Sequence, residues 1–230
     1  DQRNEDPDIY AQKIDLNGTI LWRDPFIVFG DSGTENFASQ LNPRIVATSD
    51  NSVIIVWEDK RLDNFSTDLF IQKISASGEL LWDPEGVPLC VAEFAQNEAR
   101  LAPDSDGGCY IVWDDLRNGD TPNDDIYGQH LSATGTVLWE ANGKPICNAP
   151  NQQNSALVKI SNNLVFINWM DMRNGSVGIY YQVYNSAGVA QLTENGQLMF
   201  WGLSGDAPLN NYLILPRSQD VVIIWQDTRF

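Results

Sequence analysis

An all-β repeat fold is what this chain predicts, and three observations carry that reading. Trp57, Trp113, Trp169 and Trp225 recur at a constant separation of 56 residues, each inside a Trp-x-Asp-x-Arg motif. Between them, short apolar runs alternate with turns built from Gly, Asn, Asp and Ser, again in the same order each time. No stretch of useful length carries apolar residues at helical spacing. A fixed period of this size marks a repeat architecture, and units of one kind stack into a single body. The units fall approximately at 1–61, 62–117, 118–173 and 174–230, within one domain spanning 1–230.

Each unit reads as four strands. The first in chain order is Asp8–Ile14, rewritten at Asp68–Ile74, Asp125–Leu131 and Gly178–Tyr184. Residues two apart share a face of a strand, so Tyr10, Gln12 and Ile14 point one way and Ile9 and Ala11 the other. A turn follows, ending in Gly18, Gly78, Gly135 or Gly188, because a positive φ is free only for glycine. The second strand is short and ends on Trp22, Trp82 or Trp139, with Leu192 in the fourth unit. A longer polar connection leads to a strand of the Pro43–Thr48 type. A tight turn such as Ser49–Ser52 then returns the chain to the Trp-bearing strand. Runs such as Val53–Trp57 are apolar on both faces, which places them between two packed layers.

Four-stranded antiparallel units that are buried on both faces are most economically arranged as blades of a β-propeller, where each blade covers its neighbour's apolar face. Asp227 aligns with Asp1, a separation close to four periods. Strands at 8–22 would then complete a blade with strands at 212–225 and fasten a four-bladed ring. The rival arrangement is a slice of a larger propeller or tandem array. The chain starts in mid-repeat and has no initiator Met, so a mature fragment or a segment of something longer is expected.

The pattern Pro-x-(Ile/Val)-Ala, Val-x-(Ile/Val)-x-Trp-x-Asp-x-Arg, Asp-Ile-Tyr-x-Gln-x-(Ile/Leu), Gly-x-(Ile/Val/Leu)-Leu-Trp resembles the repeats of bacterial secreted and cell-surface β-propeller proteins. The resemblance spans essentially all 230 residues. It implies architecture and an extracellular setting, but no activity, because propellers host many unrelated functions. Departures are Leu192, the segment around Leu213–Leu215 and the drifted Ser176–Gly178, which make the fourth unit a divergent one.

Charge excludes some partners. Acidic residues outnumber basic ones 31 to 14, a formal net charge of -17, and such a surface repels nucleic-acid phosphates and anionic lipid. No apolar run reaches the ~18 residues of a membrane helix. Protein or glycan partners are expected, along with self-assembly or membership of a larger chain. Cys90 and Cys147 take places held in other units by Phe29 and Phe200. They therefore read as apolar packing rather than a disulfide.

The Asp and Arg of each motif (Asp59 and Arg61, Asp115 and Arg117, Asp171 and Arg173, Asp227 and Arg229) read as turn-capping structure. A catalytic site is asymmetric, whereas these recur in every unit. Gln12, Gln72, Gln129 and Gln182 read as amides satisfied by backbone groups. Seven tryptophans sit on the two repeat positions, so Trp201 stands apart. It either stacks on a sugar or partner or fills a gap in the divergent unit. Asp120, Asn123, Asp124 and Asp125 offer oxygens for calcium, against the plainer reading of solvated turn acids. No other cofactor is expected. His130 is the only histidine, in the slot of Lys13 and Lys73, read as strand-surface positions. Histidine-based nucleophilic or zinc chemistry therefore lacks material.

These residues lead to the expectation of a secreted or cell-surface propeller without catalytic activity, acting as a binding, adhesion or structural module. The alternative is a propeller-fold carbohydrate-active enzyme, a glycoside hydrolase or lyase, and a second alternative is the subunit of an extracellular fibre. An enzyme would gather carboxylates that are not repeated between units at one mouth of the central channel. A module would show only repeat-equivalent residues there.

Overall fold

The computed structural model describes residues 7–22, 26–29, 38–63, 65–119, 124–203, 212–218 and 220–225. Strands and turns account for them, with no helix among the described residues. Three four-stranded antiparallel sheets form the body. The first comprises β3 (Gln40–Ala47), β4 (Val53–Asp59), β5 (Asp68–Ile74) and β6 (Val87–Cys90), hydrogen-bonded in that order. The second comprises β7 (Gln96–Pro103), β8 (Cys109–Asp115), β9 (Asp125–Leu131) and β10 (Lys144–Cys147). The third comprises β11 (Gln153–Ser161), β12 (Leu164–Asp171), β13 (Val177–Tyr184) and β14 (Gln197–Leu203). A two-stranded sheet flanks each end: β1 (Ile9–Ala11) with β2 (Phe26–Phe29), and β15 (Tyr212–Pro216) with β16 (Val221–Trp225).

The first strands of successive sheets touch, β3 with β7, β7 with β11 and β11 with β15. These strands are the inner edge of the arrangement, and the antiparallel sheets stack around it as propeller blades. The expected ring is seen only in part. The segments at 8–22 and 212–225 form separate two-stranded sheets rather than one completed blade. The central strands β4, β5, β8 and β9 are buried along nearly their whole length, as both-face apolar runs require. The core consists of seams: one apolar cluster joins Ile54, Val56 and Ile71 to Leu101, Ile111 and Leu131, and a second joins Val112 and Ile126 to Val158 and Ile167.

The two repeated tryptophans do different work. Trp57, Trp113 and Trp169 are fully buried in the apolar clusters that join their own sheet to the preceding one, where truncating an aromatic costs about 3–5 kcal/mol. The indole of Trp22, Trp82 or Trp139 instead reaches the next unit, donating from Nε1 to the carbonyl of Ala76, Ala133 or Ser186. It lies against the turn glycine there: a Cβ on Gly78 would stand 3.0 Å from Trp22. That turn needs both the positive φ and the missing side chain.

The repeated glutamines stitch strand to turn. Gln72 Nε2 donates to Asp83 O at 2.6 Å, and its Oε1 accepts from the N–H groups of Lys73 and Trp82. Gln129 does the same with Glu140, His130 and Trp139. In the fourth unit Gln182 still takes the Leu192 N–H at 3.0 Å, so the backbone pattern outlasts the loss of that Trp. Cys90, Cys109 and Cys147 are free and buried. Burial pushes the Cys90 and Cys147 thiols up to about 12, as suits packing residues.

Gly86 closes the turn before β6 with φ +77°, and a Cβ there would sit 2.7 Å from the Trp57 ring. Gly86→Ala is expected to destabilise the chain by roughly 1–3 kcal/mol through overpacking and backbone strain, read as a lowered urea midpoint. An unchanged midpoint would show that Trp57 is not held there.

Candidate functional site

The Trp-x-Asp-x-Arg motif forms a closed cassette. The carboxylate of Asp115 accepts from Trp113 Nε1 at 2.7 Å, from the Arg117 N–H at 2.9 Å and from Arg117 Nε and Nη2 at 2.8 and 2.7 Å. Asp59 and Asp171 take the equivalent bonds from Trp57 and Arg61, and from Trp169 and Arg173. Each guanidinium then lies over an aromatic ring, Arg61 over Phe29 and Phe70, Arg117 over Tyr127 and Arg173 over Tyr180. It also donates to a loop carbonyl, that of Glu85, Asn142 or Asn195. In the second and third sheets both Nε and Nη2 of the arginine are engaged inside the blade, whereas in the first Arg61 Nε is buried without a partner among the described residues. In the fourth copy Trp225 sits at the end of β16, and Asp227 and Arg229 lie outside the described residues.

The inner strands differ from unit to unit. Three of them carry a bulge: the register shifts between Leu41 and Arg44 in β3, between Asn97 and Arg100 in β7 and between Asn154 and Leu157 in β11. Inside the first two bulges, Asn42 and Glu98 adopt positive φ values of 51° and 55°. A glutamate in this region is uncommon, and such strain clusters at functional sites. Bulges serve to re-aim side chains.

Three carboxylates lie on or beside these bulges. Glu58 is buried at the end of β4. Its Oε2 accepts from Asn42 Nδ2 at 2.8 Å and its Oε1 from the Glu98 N–H at 2.9 Å, so one side chain clamps the bulges of two neighbouring blades. Glu98 is exposed, and its Oε2 accepts from Arg100 Nη2 at 2.8 Å with Arg44 Nη2 at 3.6 Å. Asp114 is buried on β8, directly opposite Asn97, the residue before Glu98. None of the three repeats through all units. Position 98 is Asn42 in the preceding blade and Ser155 in the next, and the Glu58 and Asp114 position becomes Met170. Asymmetry of this kind was the criterion set by the sequence, but those carboxylates were not singled out there. The usable signal was an acidic residue that breaks the repeat, at 98 on the inner strand and at 58 and 114 on the strands beside it.

Of the other sequence-based candidates, Trp201 lies on the edge strand β14, opposite Gly178 and 56% exposed. Asp120 and Asn123 lie outside the described residues. Asp124 accepts from Gln152 Nε2 at 3.2 Å, and Asp125 is buried and accepts from Asn118 Nδ2 at 2.5 Å. Among the described residues, no group of three or more His, Cys, Asp or Glu is placed to hold a metal ion. The reading of the Lys73 and His130 slot as strand surface needs correcting. Lys73 is buried, with Nζ 2.7 Å from both Asp50 Oδ2 and Gly107 O, and His130 is buried against Tyr110 with Nε2 2.9 Å from Asp104 Oδ2. The slot faces the neighbouring blade, so a long polar side chain there must find a partner.

No family model and no curated protein matches the chain. Solved structures do. A family 117 glycoside hydrolase from Zobellia galactanivorans superposes with a TM-score of 0.50 at 7% identity, over 94% of this chain and 67% of that one. A putative glycoside hydrolase from Parabacteroides distasonis gives 0.49 at 11% identity, over 98% and 69%. An endo-arabinase from Bacteroides thetaiotaomicron gives 0.47 at 13%, over 99% and 88%. The chain spans 67%, 54% and 61% of three others: a family-43 glycoside hydrolase, an endo-1,4-β-xylanase and an N-acetylgalactosamine deacetylase. What they share with this chain is the propeller fold. The expectation of a non-catalytic, non-enzymatic module is overturned here. The family 117 glycoside hydrolase is an enzyme on the same fold, and the inner strand β7 carries a carboxylate, Glu98, where β3 and β11 have Asn42 and Ser155.

Asp68, opposite Asp59 in the ladder, is buried. Burial, then the charges of Asp59 and Asp63, push its carboxyl up to about 6. The folded state therefore binds this proton more tightly than the unfolded chain, whose aspartates titrate near ~3.9. The stabilising contribution is complete below pH ~4 and is lost as pH rises through about 6. Asp68→Asn is expected to raise the melting temperature at pH 8 and to flatten the pH 4–7 profile. Parallel wild-type and variant profiles would show that Asp68 ionises normally.

Proposed function

We propose that the chain is a carbohydrate-active propeller that cleaves a glycosidic bond at the inner-strand bulges. One observation carries this reading: Glu58 bonds the bulges at Asn42 and Glu98 and Asp114 lies on the strand beside Glu98, opposite Asn97, while the repeat-equivalent carboxylates are consumed by the Trp-x-Asp-x-Arg cassettes. Glycoside hydrolysis needs two carboxyl groups flanking the scissile bond. One protonates the leaving oxygen, and the other activates water or attacks the sugar directly. Glu98 and Asp114 stand on adjacent strands of one blade, with Asn97 opposite Asp114, and they divide those roles. Glu58 fixes both bulges through Asn42 and the Glu98 backbone, so it positions Glu98 rather than reacting. Arg44 and Arg100 orient the Glu98 carboxylate.

The propeller neighbours named as glycoside hydrolases support the same class. Trp201 is the one large exposed aromatic on β14 among the described residues and suits stacking on a sugar ring outside the bulges. The acidic surface at -17 favours a neutral or basic glycan over a sulfated one. An extracellular setting and four blades belong to the same proposal.

The test is release of reducing ends from a panel of arabino-, xylo- and galacto-oligosaccharides. Glu98→Gln and Asp114→Asn are each expected to lower kcat/KM on the accepted sugar by at least about 100-fold, with melting temperatures close to wild type. Trp201→Ala is expected to raise KM a few-fold and leave kcat alone. Wild-type protein that cleaves none of the panel, or variants that retain full rate, would sink the proposal.

A further inference from the structure

We propose that Phe65 and Phe94 form an aromatic platform beside Glu98 that takes the apolar faces of sugar rings in a neutral glycan chain. The inference rests on the glycosidase reading for the part Glu98 plays, and on exposure and backbone strain for the platform itself. Both rings break the repeat. Phe65 is 99% exposed and Phe94 45%. Counting back from the strand that follows, position 65 is Glu5, Pro122 and Gly175 in the other units, and position 94 is Ala38 and Asn151 before the other inner strands. Leu62, 62% exposed, follows its motif arginine where Asn118 and Asn174 follow theirs. The seam between the first and second sheets thus exposes apolar side chains where the next seam carries Asn118 and Asn151.

Phe94 holds its place against its backbone preference. Its φ is 60°, a genuine outlier for a bulky side chain. The cause is local: Gln96 Nε2 donates to Phe94 O at 3.0 Å, as Gln153 Nε2 donates to Asn151 O at 2.5 Å in the next seam. Asparagine visits this region more readily than other side chains, and Asn151 does so with φ 70°. Phenylalanine is strained there, and its half-exposed ring gains little burial in return. It rests on Gly119, whose missing Cβ would stand 3.4 Å away. Strain kept without matching burial marks a functional position.

Both loops lead to Glu98. The Gln96 N–H donates to Thr67 O at 2.8 Å and Thr67 Oγ1 to Asn97 Oδ1 at 2.6 Å, so the loop that carries Phe65 is fastened to β7 one residue before Glu98. Phe94 lies four positions before Glu98, no more than about 14 Å of chain. Phe65 projects from a braced turn, its N–H on Asp63 Oδ1 at 2.9 Å and Ser66 Oγ on Asp63 Oδ2 at 3.2 Å. Asp63 and Glu93, both exposed, sit beside these rings in the chain. A protein surface laid over the rings would strip both carboxylates of water, which is costly. A sugar instead stacks its apolar face on an aromatic ring and offers hydroxyl donors to the carboxylates. The acidic surroundings repel sulfated and uronic chains, so the occupant is a neutral glycan.

Native gels cast with soluble arabinan, xylan or galactan test this by reading binding without cleavage. The wild-type chain is expected to be retarded by at least one of the three. Phe65→Ala and Phe94→Asn are each expected to raise the dissociation constant read from that retardation by about 3–10-fold. Phe94→Asn restores the residue of the next seam and relieves the strain, so its melting temperature is expected to match or exceed that of wild type. Wild type that passes all three polysaccharides freely, or variants retarded as strongly as wild type, overturns the platform. A Phe94→Asn melting temperature below wild type makes the ring a packing residue and overturns it as well. Retardation that depends on both rings in a chain that releases no reducing ends keeps the platform and removes only the glycosidase reading.

Discussion

The aspartate two residues after each buried Trp holds this architecture together. Asp59, Asp115 and Asp171 are sealed from solvent, where a lone carboxylate costs several kcal/mol. Each is compensated by an indole N–H, a backbone N–H and a guanidinium. The arginine is in turn fixed over an aromatic ring and tied to the loop before the next strand. One side chain thus locks strand end, turn and outer loop in a single geometry. Removing any member leaves a buried charge without its partner, which is why four copies keep the whole motif.

That locking frees the inner strands. Central strands must satisfy their neighbours on both faces, so they keep the apolar pattern and the Trp and Asp of the motif. The inner strands carry bulges, and at a bulge the ladder no longer dictates which side chain fits. Asn42, Glu98 and Ser155 occupy one position in three blades, and only the middle one brings a carboxylate. A uniform scaffold with a non-uniform inner edge lets one fold carry many chemistries.

The legible part of the chain was the part under repeated constraint. The 56-residue spacing, the turn glycines and the both-face apolar strands all report local geometry that recurs, so four copies in one chain serve as their own comparison. The Gln72, Gln129 and Gln182 amides were placed correctly inside a sheet for that reason, whereas Gln12 falls one residue past the end of β1. The Lys73 and His130 slot was misread because strand alternation tells which residues share a face, not that both faces meet another blade. The carboxylates at 58, 98 and 114 were invisible among 31 acids, because their placement depends on a bulge in one strand and a side chain from the neighbouring blade.

The residues alone determined the unit, its strands, its turns and its structural motif, since each is set by contacts within one period and by the φ preferences of glycine and the pleat of a strand. Tertiary structure decided which surfaces are seams and which atoms converge. Glu58 reaches Glu98 across 40 positions of chain, and Ile45 lies exposed where Leu101 is buried. Contacts of that kind arise only when separate sheets are set side by side, and no periodicity along the chain encodes the distance between them.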